Sequence, residues 1–231
     1  MKFRLFAPIL FFLLYVVQLS ASTITIGEAT SGNCYPFSCG STGDLTRFQQ
    51  VYNADAFGTL NPIRINSLSF FAVEGSLGEP SASGVFEIYL ATSTTNFGFA
   101  TADFDANLGS DSALFATVSF GPNMPLVFTI MGTTPFFYDP TAGDLVMDVR
   151  VLDWSTEVGY SSYFQADNET SMMQRSFLSD NGAELNYASA LVTQFDYANT
   201  SPIPEPPAIL LTGLGLGALL LSVYSRRKGK V

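Results

Sequence analysis

The stretch SGVFEIYLATSTT constrains this chain more than any other. Phe86, Ile88 and Leu90 alternate with Val85, Glu87, Tyr89 and Ala91, and a strict period of two marks a strand with one face in a core. A helix would scatter those apolar residues around its circumference. DLVMDVRVLD repeats the pattern, with Leu145, Met147, Val149 and Val151 on one face and Asp148 and Arg150 on the other. The sheet is expected to start within RFQQVYNADAFGTLNPIRINSLSFF, with alternation over 64–70. Further strands are expected at 113–120, 126–131, 159–165, 172–178 and 188–197. The Asp-Pro of YDPTAG and the Asn-Gly of SDNGAE are turn formers with a backbone reason to be so. Eight or nine short strands with such punctuation predict an all-β fold, a single β-sandwich of jelly-roll type, without internal repeats or long amphipathic helices. The 21 Phe and 10 Tyr suit its interior, and 47% hydrophobic against 13% charged residues argues against disorder.

Charge is distributed unevenly. Lys2 and Arg4 open the chain, and Arg226, Arg227, Lys228 and Lys230 close it. Residues 22–205 hold only Arg47, Arg64, Arg150 and Arg175 against all 20 Asp and Glu. A surface that tracks phosphates needs clustered Lys and Arg, so nucleic acid is excluded as a partner.

The ends carry addressing information. MKFRLFAPILFFLLYVVQLSAS has two early cations, an apolar stretch and then small residues, the layout of a secretory signal over 1–22. Cleavage is expected after Ala21 or Ser22, and an uncleaved anchor is the alternative. Either way residues 23–200 form an exported body. At the other end 208–224 carry no charge. As a helix they would span roughly 26 Å at about 1.5 Å per residue, enough for a single membrane crossing. Pro206 and Pro207 stand at the helix entry, where proline is tolerated. Arg226, Arg227, Lys228 and Lys230 behind the span are expected to stay on the cytoplasmic side and stop transfer. Gly213 and Gly217 form a GxxxG pair, a weak pattern in a helix already rich in Gly and Leu.

Pro204-Glu205-Pro206, one apolar span and a terminal Arg226-Arg227-Lys228 together resemble the PEP-CTERM sorting signal of bacterial exported proteins, over 201–231. Ile203 stands where that family often has valine. The resemblance implies that a membrane-embedded exosortase is the partner, reading Pro204, Glu205 and Pro206. It would remove the tail and pass the body to the cell envelope or an extracellular matrix. The prolines themselves fix φ and remove amide donors, so 201–207 should stay extended and accessible. The order GNCYPF, RFQQVYNADAFG, PIRINSLSFF, PFFYDPTAGDLVMDV and ALVTQFDY also resembles the body of a large group of PEP-CTERM proteins. That group has no agreed biochemical activity, so the match implies architecture and destination only.

Within the body, Cys34 and Cys39 are the only two cysteines. In an exported chain they are expected to form a disulfide, roughly 2 kcal/mol for so short a loop, which staples a terminal loop rather than the fold. Zinc would need further ligands that the chain lacks. In ADFDANLGSD, Asp103, Asp105, Asn107 and Asp111 place oxygens at intervals suited to Ca²⁺. Gly109 and Leu114 depart from the EF-hand pattern, and an acidic surface loop without a metal is the competing expectation. With no histidine in the chain, Ser-His-Asp and Cys-His catalysis are absent. Asp153 and Glu157 around Trp154 leave a carboxylate glycosidase as the remaining enzymatic reading. The expectation is a non-catalytic protein of the envelope or exopolysaccharide. The alternative is a carbohydrate-binding module reaching extracellular polysaccharide through exposed aromatics, with or without calcium.

Overall fold

A computed structural model describes residues 21–38, 45–76, 84–121, 123, 125–154, 163–169 and 171–200. Thirteen strands are present among the described residues: β1 (Ala21–Ile26), β2 (Ser31–Asn33), β3 (Arg47–Tyr52), β4 (Ile63–Phe71), β5 (Gly84–Thr92), β6 (Ala113–Phe120), β7 (Val127–Tyr138), β8 (Leu145–Trp154), β9 (Phe164–Asp167), β10 (Met173–Ser179), β11 (Gly182–Tyr187), β12 (Ala190–Leu191) and β13 (Thr193–Asn199). Among the described residues the one helical element is a single 3-10 turn, Ala54–Phe57, capped by the Asn53 side chain on the Asp55 amide. No described helix is long and apolar enough to cross a membrane. The segment 208–224, Pro204, Glu205, Pro206 and the basic tail lie outside the described residues, as does the signal up to residue 20.

All strand pairings among the described residues are antiparallel. One sheet has the order β1-β13-β4-β7, a second β11-β10-β3-β8-β5-β6, and a small third β12-β9-β2. The expected inward residues Phe86, Ile88 and Leu90 are fully buried, and so are Leu145, Met147 and Val149, while Val151 is only partly buried and Ala91, expected on the opposite face, is buried as well. Their burial partners come from the other main sheet, including Ile65, Leu68 and Phe70 on β4 and Phe195 on β13. Phe37 lies at the meeting point, its ring 5.4 Å from Phe70, 5.3 Å from Phe86, 5.3 Å from Phe128 and 5.9 Å from Phe164. These four rings belong to all three sheets, so the short loop after β2 supplies a central plug. The expectation of a merely terminal loop understated it.

Several boundaries differ from expectation, each for a local reason. The first sheet begins at β1, ahead of RFQQ, because Ala21–Ile26 pairs along its whole length with β13. The strand expected at 126–131 continues to Tyr138, with a register shift opposite Ile65 and Ser67 absorbing the irregularity before Pro135. The one expected at 159–165 is β9, later than foreseen, with 159–162 outside the described residues. The single strand expected over 188–197 is broken into β12 and β13, which belong to different sheets. At the break the buried Gln50 side chain replaces the missing ladder: its Oε1 accepts from the Leu191 amide at 2.7 Å, and its Nε2 donates to the Leu191 carbonyl at 2.8 Å. The Asn-Gly turn joins β10 to β11, a hairpin strand the alternation did not reveal.

Candidate functional site

β3 and β8 are neighbours, with Arg47 opposite Arg150 and Gln49 opposite Asp148. These four polar side chains therefore stand together on the face turned away from the core, where alternation expects solvent. Asp148 is nevertheless fully buried and Gln49 nearly so. The cover is the long β5–β6 connection, residues 93–112, which contains the ADFDANLGSD motif and folds back over the sheet.

The connection is bonded to the sheet through a closed circuit. Gln49 Nε2 donates to the Phe104 carbonyl at 2.7 Å and to Asp148 Oδ1 at 3.0 Å. Asn107, itself fully buried, donates to Gln49 Oε1 at 2.9 Å and accepts from the Thr101 amide at 2.8 Å. Arg47 Nε donates to Asp148 Oδ1 at 2.7 Å and its Nη2 to Oδ2 at 2.9 Å, while Arg150 Nε reaches Oδ2 at 3.0 Å. Asp105 closes the circuit from the loop, 2.8 Å from Arg47 and 3.5 Å from Arg150. Phe104 lies under the Arg47 guanidinium and Tyr89 under that of Arg150, at 5.7 and 4.3 Å. Two of the body's four arginines are committed here.

The electrostatics follow. Burial alone would lower the Arg47 pKa, but the Asp148 and Asp105 carboxylates outweigh it and raise it above the ordinary value. The same guanidinium, by hydrogen bond and charge, holds the Asp105 carboxyl below its usual range. Each Asp148 oxygen already accepts two donors. A carboxylate so occupied has its acceptor sites filled by the protein's own donors.

The four residues expected as calcium ligands are placed in one connection but given separate tasks. Asp103 caps its own turn, accepting from the Asp105 and Ala106 amides at 3.2 and 3.3 Å. Asp105 pairs with Arg47, and Asn107 is turned inward. Asp111 holds Thr92, its Oδ2 2.6 Å from the hydroxyl and its Oδ1 3.0 Å from the amide. Gly109 permits the close return of the chain, since a Cβ there would stand 2.6 Å from the Thr92 carbonyl. No group of three or more His, Cys, Asp or Glu able to hold a metal forms among the described residues.

A second concave place lies beside β1, lined by Thr25, Ile26, Gly27, Glu28, Ala56, Asp167, Glu169, Ser171 and Met172. Its carboxylates are again structural where they are buried: Asp167 accepts from the Glu28 amide at 2.9 Å and the Glu169 amide at 2.8 Å. Of the glycosidase pair, Asp153 is exposed on β8 and Glu157 lies outside the described residues. No described cysteine is a free thiol, and Cys39 lies outside the described residues.

The buried polar circuit was missed by the sequence reading because alternation reports only which face a side chain takes, not what covers that face. A signal was present: Arg47, Gln49, Asp148 and Arg150 gather charge and amide groups on one side of two strands in a body otherwise poor in cations. No protein-family model matches this sequence, and no curated protein matches it.

Proposed function

We propose that this chain is an exported, non-catalytic protein sorted by a PEP-CTERM signal. Residues 1–22 direct export, 23–200 form a jelly-roll sandwich outside the membrane, and 201–231 hold the precursor in the bilayer until a membrane exosortase removes the tail. The body then reaches the envelope or exopolysaccharide of a bacterium. The observation that carries this reading is the sequence Pro204-Glu205-Pro206 followed by the uncharged 208–224 and then Arg226, Arg227, Lys228 and Lys230.

Three features of the body support it. Thr23 pairs with Asp196, so the first and last strands of the body are neighbours and its two ends lie together. That arrangement suits a protein whose two terminal segments meet the same membrane. Among the described residues the last bonds are made by Thr200, whose amide and hydroxyl donate to the Pro62 carbonyl at 3.1 and 2.7 Å. The strand order supports the jelly-roll class: β1-β13-β4-β7 matches one four-stranded sheet and β3-β8-β5-β6 the other, with β10 and β11 added at an edge. Export also accords with a Cys34–Cys39 disulfide.

Deleting residues 226–231 tests the reading. The truncated precursor should escape processing and accumulate with its tail attached; normal tail removal and localisation would count against the proposal.

Glycan binding by the body is a second reading, favoured by one feature of the outer face of the first sheet. Thr25, Gln194, Ser69 and Thr129 stand in register across all four strands as a row of hydroxyl and amide groups. A glycan array separates the two readings, since sorting alone expects no retained sugar.

A further inference from the structure

The arginines of the body stand in different surroundings. Arg47 and Arg150 share the carboxylates of Asp148 and Asp105. Arg175, on β10, bridges to no carboxylate among the described residues. Its Nε donates to the Ala188 carbonyl at 2.8 Å, and its Nη1 is buried without a partner. Burial pulls its pKa below the ordinary value, and Tyr35, Glu184 and Tyr187 offset that only in part. At Arg47 the two carboxylates reverse the same effect. A partly buried cation without a counter-charge costs stability until something supplies one.

Three aromatic rings frame this group. The guanidinium lies 5.9 Å from the centre of the Tyr35 ring and 5.3 Å from that of Phe177. Tyr35 and Phe177 stack at 5.2 Å with planes 20° apart, and Tyr187 is 6.4 Å from Phe177. Tyr187 is the most exposed of the three, at 48%. One buried side chain fixes the frame: Asn33 accepts from the Tyr35 amide at 3.0 Å and donates to the Ser189 carbonyl at 2.8 Å. Asn186 and Ser189, which flank the Ala188 carbonyl holding Nε, both have a φ of 59°. Left-handed backbone is uncommon for serine, and it persists where the surroundings enforce it, often beside ligand sites.

We propose that Arg175, Tyr35, Phe177 and Tyr187 form a subsite for a sugar that carries a carboxylate, a uronic acid unit of an acidic polysaccharide. With Nε taken, the two Nη groups remain as a fork, and a guanidinium fork matches a carboxylate bidentately. An adjoining ring face covers the apolar C–H side of a sugar ring, which favours a sugar over a bare carboxylate. The acidic residues elsewhere on the body oppose an anion, but that field is screened beyond about 8 Å at physiological ionic strength. The subsite rests on the glycan-binding reading and not on the sorting signal. It belongs to a different sheet from the row of Thr25, Gln194, Ser69 and Thr129.

Calorimetric titration of the full chain in mild detergent with trigalacturonate, galactotriose and acetate tests it. Trigalacturonate should bind, and galactotriose and acetate should bind at least about tenfold more weakly. Arg175→Gln and Tyr187→Ala should each weaken trigalacturonate about tenfold or more, and Arg175→Lys, which keeps the charge and loses the fork, should weaken it as well. Unchanged circular dichroism checks that the variants fold. No binding of trigalacturonate would overturn the proposal, as would equal binding of acetate or galactotriose, or binding that survives Arg175→Gln. A chain that ignores trigalacturonate but binds galactotriose and loses it on Gln194→Ala would overturn this subsite and leave the glycan-binding reading standing.

Discussion

Replacing Asp148 by alanine should be among the most destabilising single changes on the outer face of the six-stranded sheet. The carboxylate is fully buried and accepts from Arg47 twice, Gln49 once and Arg150 once. Its removal leaves the Arg47 guanidinium, whose side chain is 14% exposed, without its main partner. Breaking one side of a buried ion pair costs about 3–5 kcal/mol. Part of that is recovered through Asp105, which stands 75% exposed and keeps its bridge to Arg47. At roughly 2–4 °C per kcal/mol for a body of this size, the thermal midpoint should fall by about 10 °C. The double change Arg47→Met with Asp148→Leu removes both charges and should recover most of the loss, because apolar groups of similar volume replace a buried pair at little net cost. Thermal unfolding followed by circular dichroism gives both numbers. A drop of under about 1 kcal/mol for Asp148→Ala would refute the reasoning, since that is the behaviour of a solvated surface pair.

Three further outcomes are expected. The Arg47 charge lowers the Asp105 pKa on folding, so the unfolded chain takes that proton more readily and acid favours unfolding. Its contribution should be complete above the usual carboxylate value of about 3.9 and vanish as pH falls through the lower folded value. Wild type and Asp105→Asn should therefore differ in midpoint near neutrality and converge in acid; a constant gap would contradict it. Thermal unfolding in Ca²⁺ and in EDTA should coincide, because Asp103, Asp105, Asn107 and Asp111 are each engaged in building the connection, whereas a rise with Ca²⁺ would restore them as ligands. Phe37→Ala should cost about 3–5 kcal/mol in denaturant unfolding, the range for emptying a core aromatic site; a loss under about 1 kcal/mol would mean that the surrounding rings close the space.

What was legible followed the physics that each signal reports. β5 and β8 could be read with their buried faces because alternation is a local property of the pleat. The turn at Asp139-Pro140 and the hairpin at Asn181-Gly182 could be read because those residues carry their own backbone preference. β1 could not, since ASTITI offers only short alternation and gains its place through pairing with β13, some 170 residues later in the chain. Nor could the break at Val192, which depends on the side chain of Gln50 from another strand. The burial of Asp148 rests on a connection that returns across the sheet, and no period along β8 encodes that. In ADFDANLGSD the side chains bond within the connection and to Arg47, Gln49 and Thr92, contacts that the spacing of oxygens along the sequence does not report.

The central claim concerns the fate of the C-terminal tail, and the most direct measurement is mass spectrometry of the body recovered from the envelope or medium of cells expressing the full chain. The account expects a C-terminal residue near Pro204–Pro207, with everything after it gone. A body that leaves the cell still ending at Val231 would contradict it.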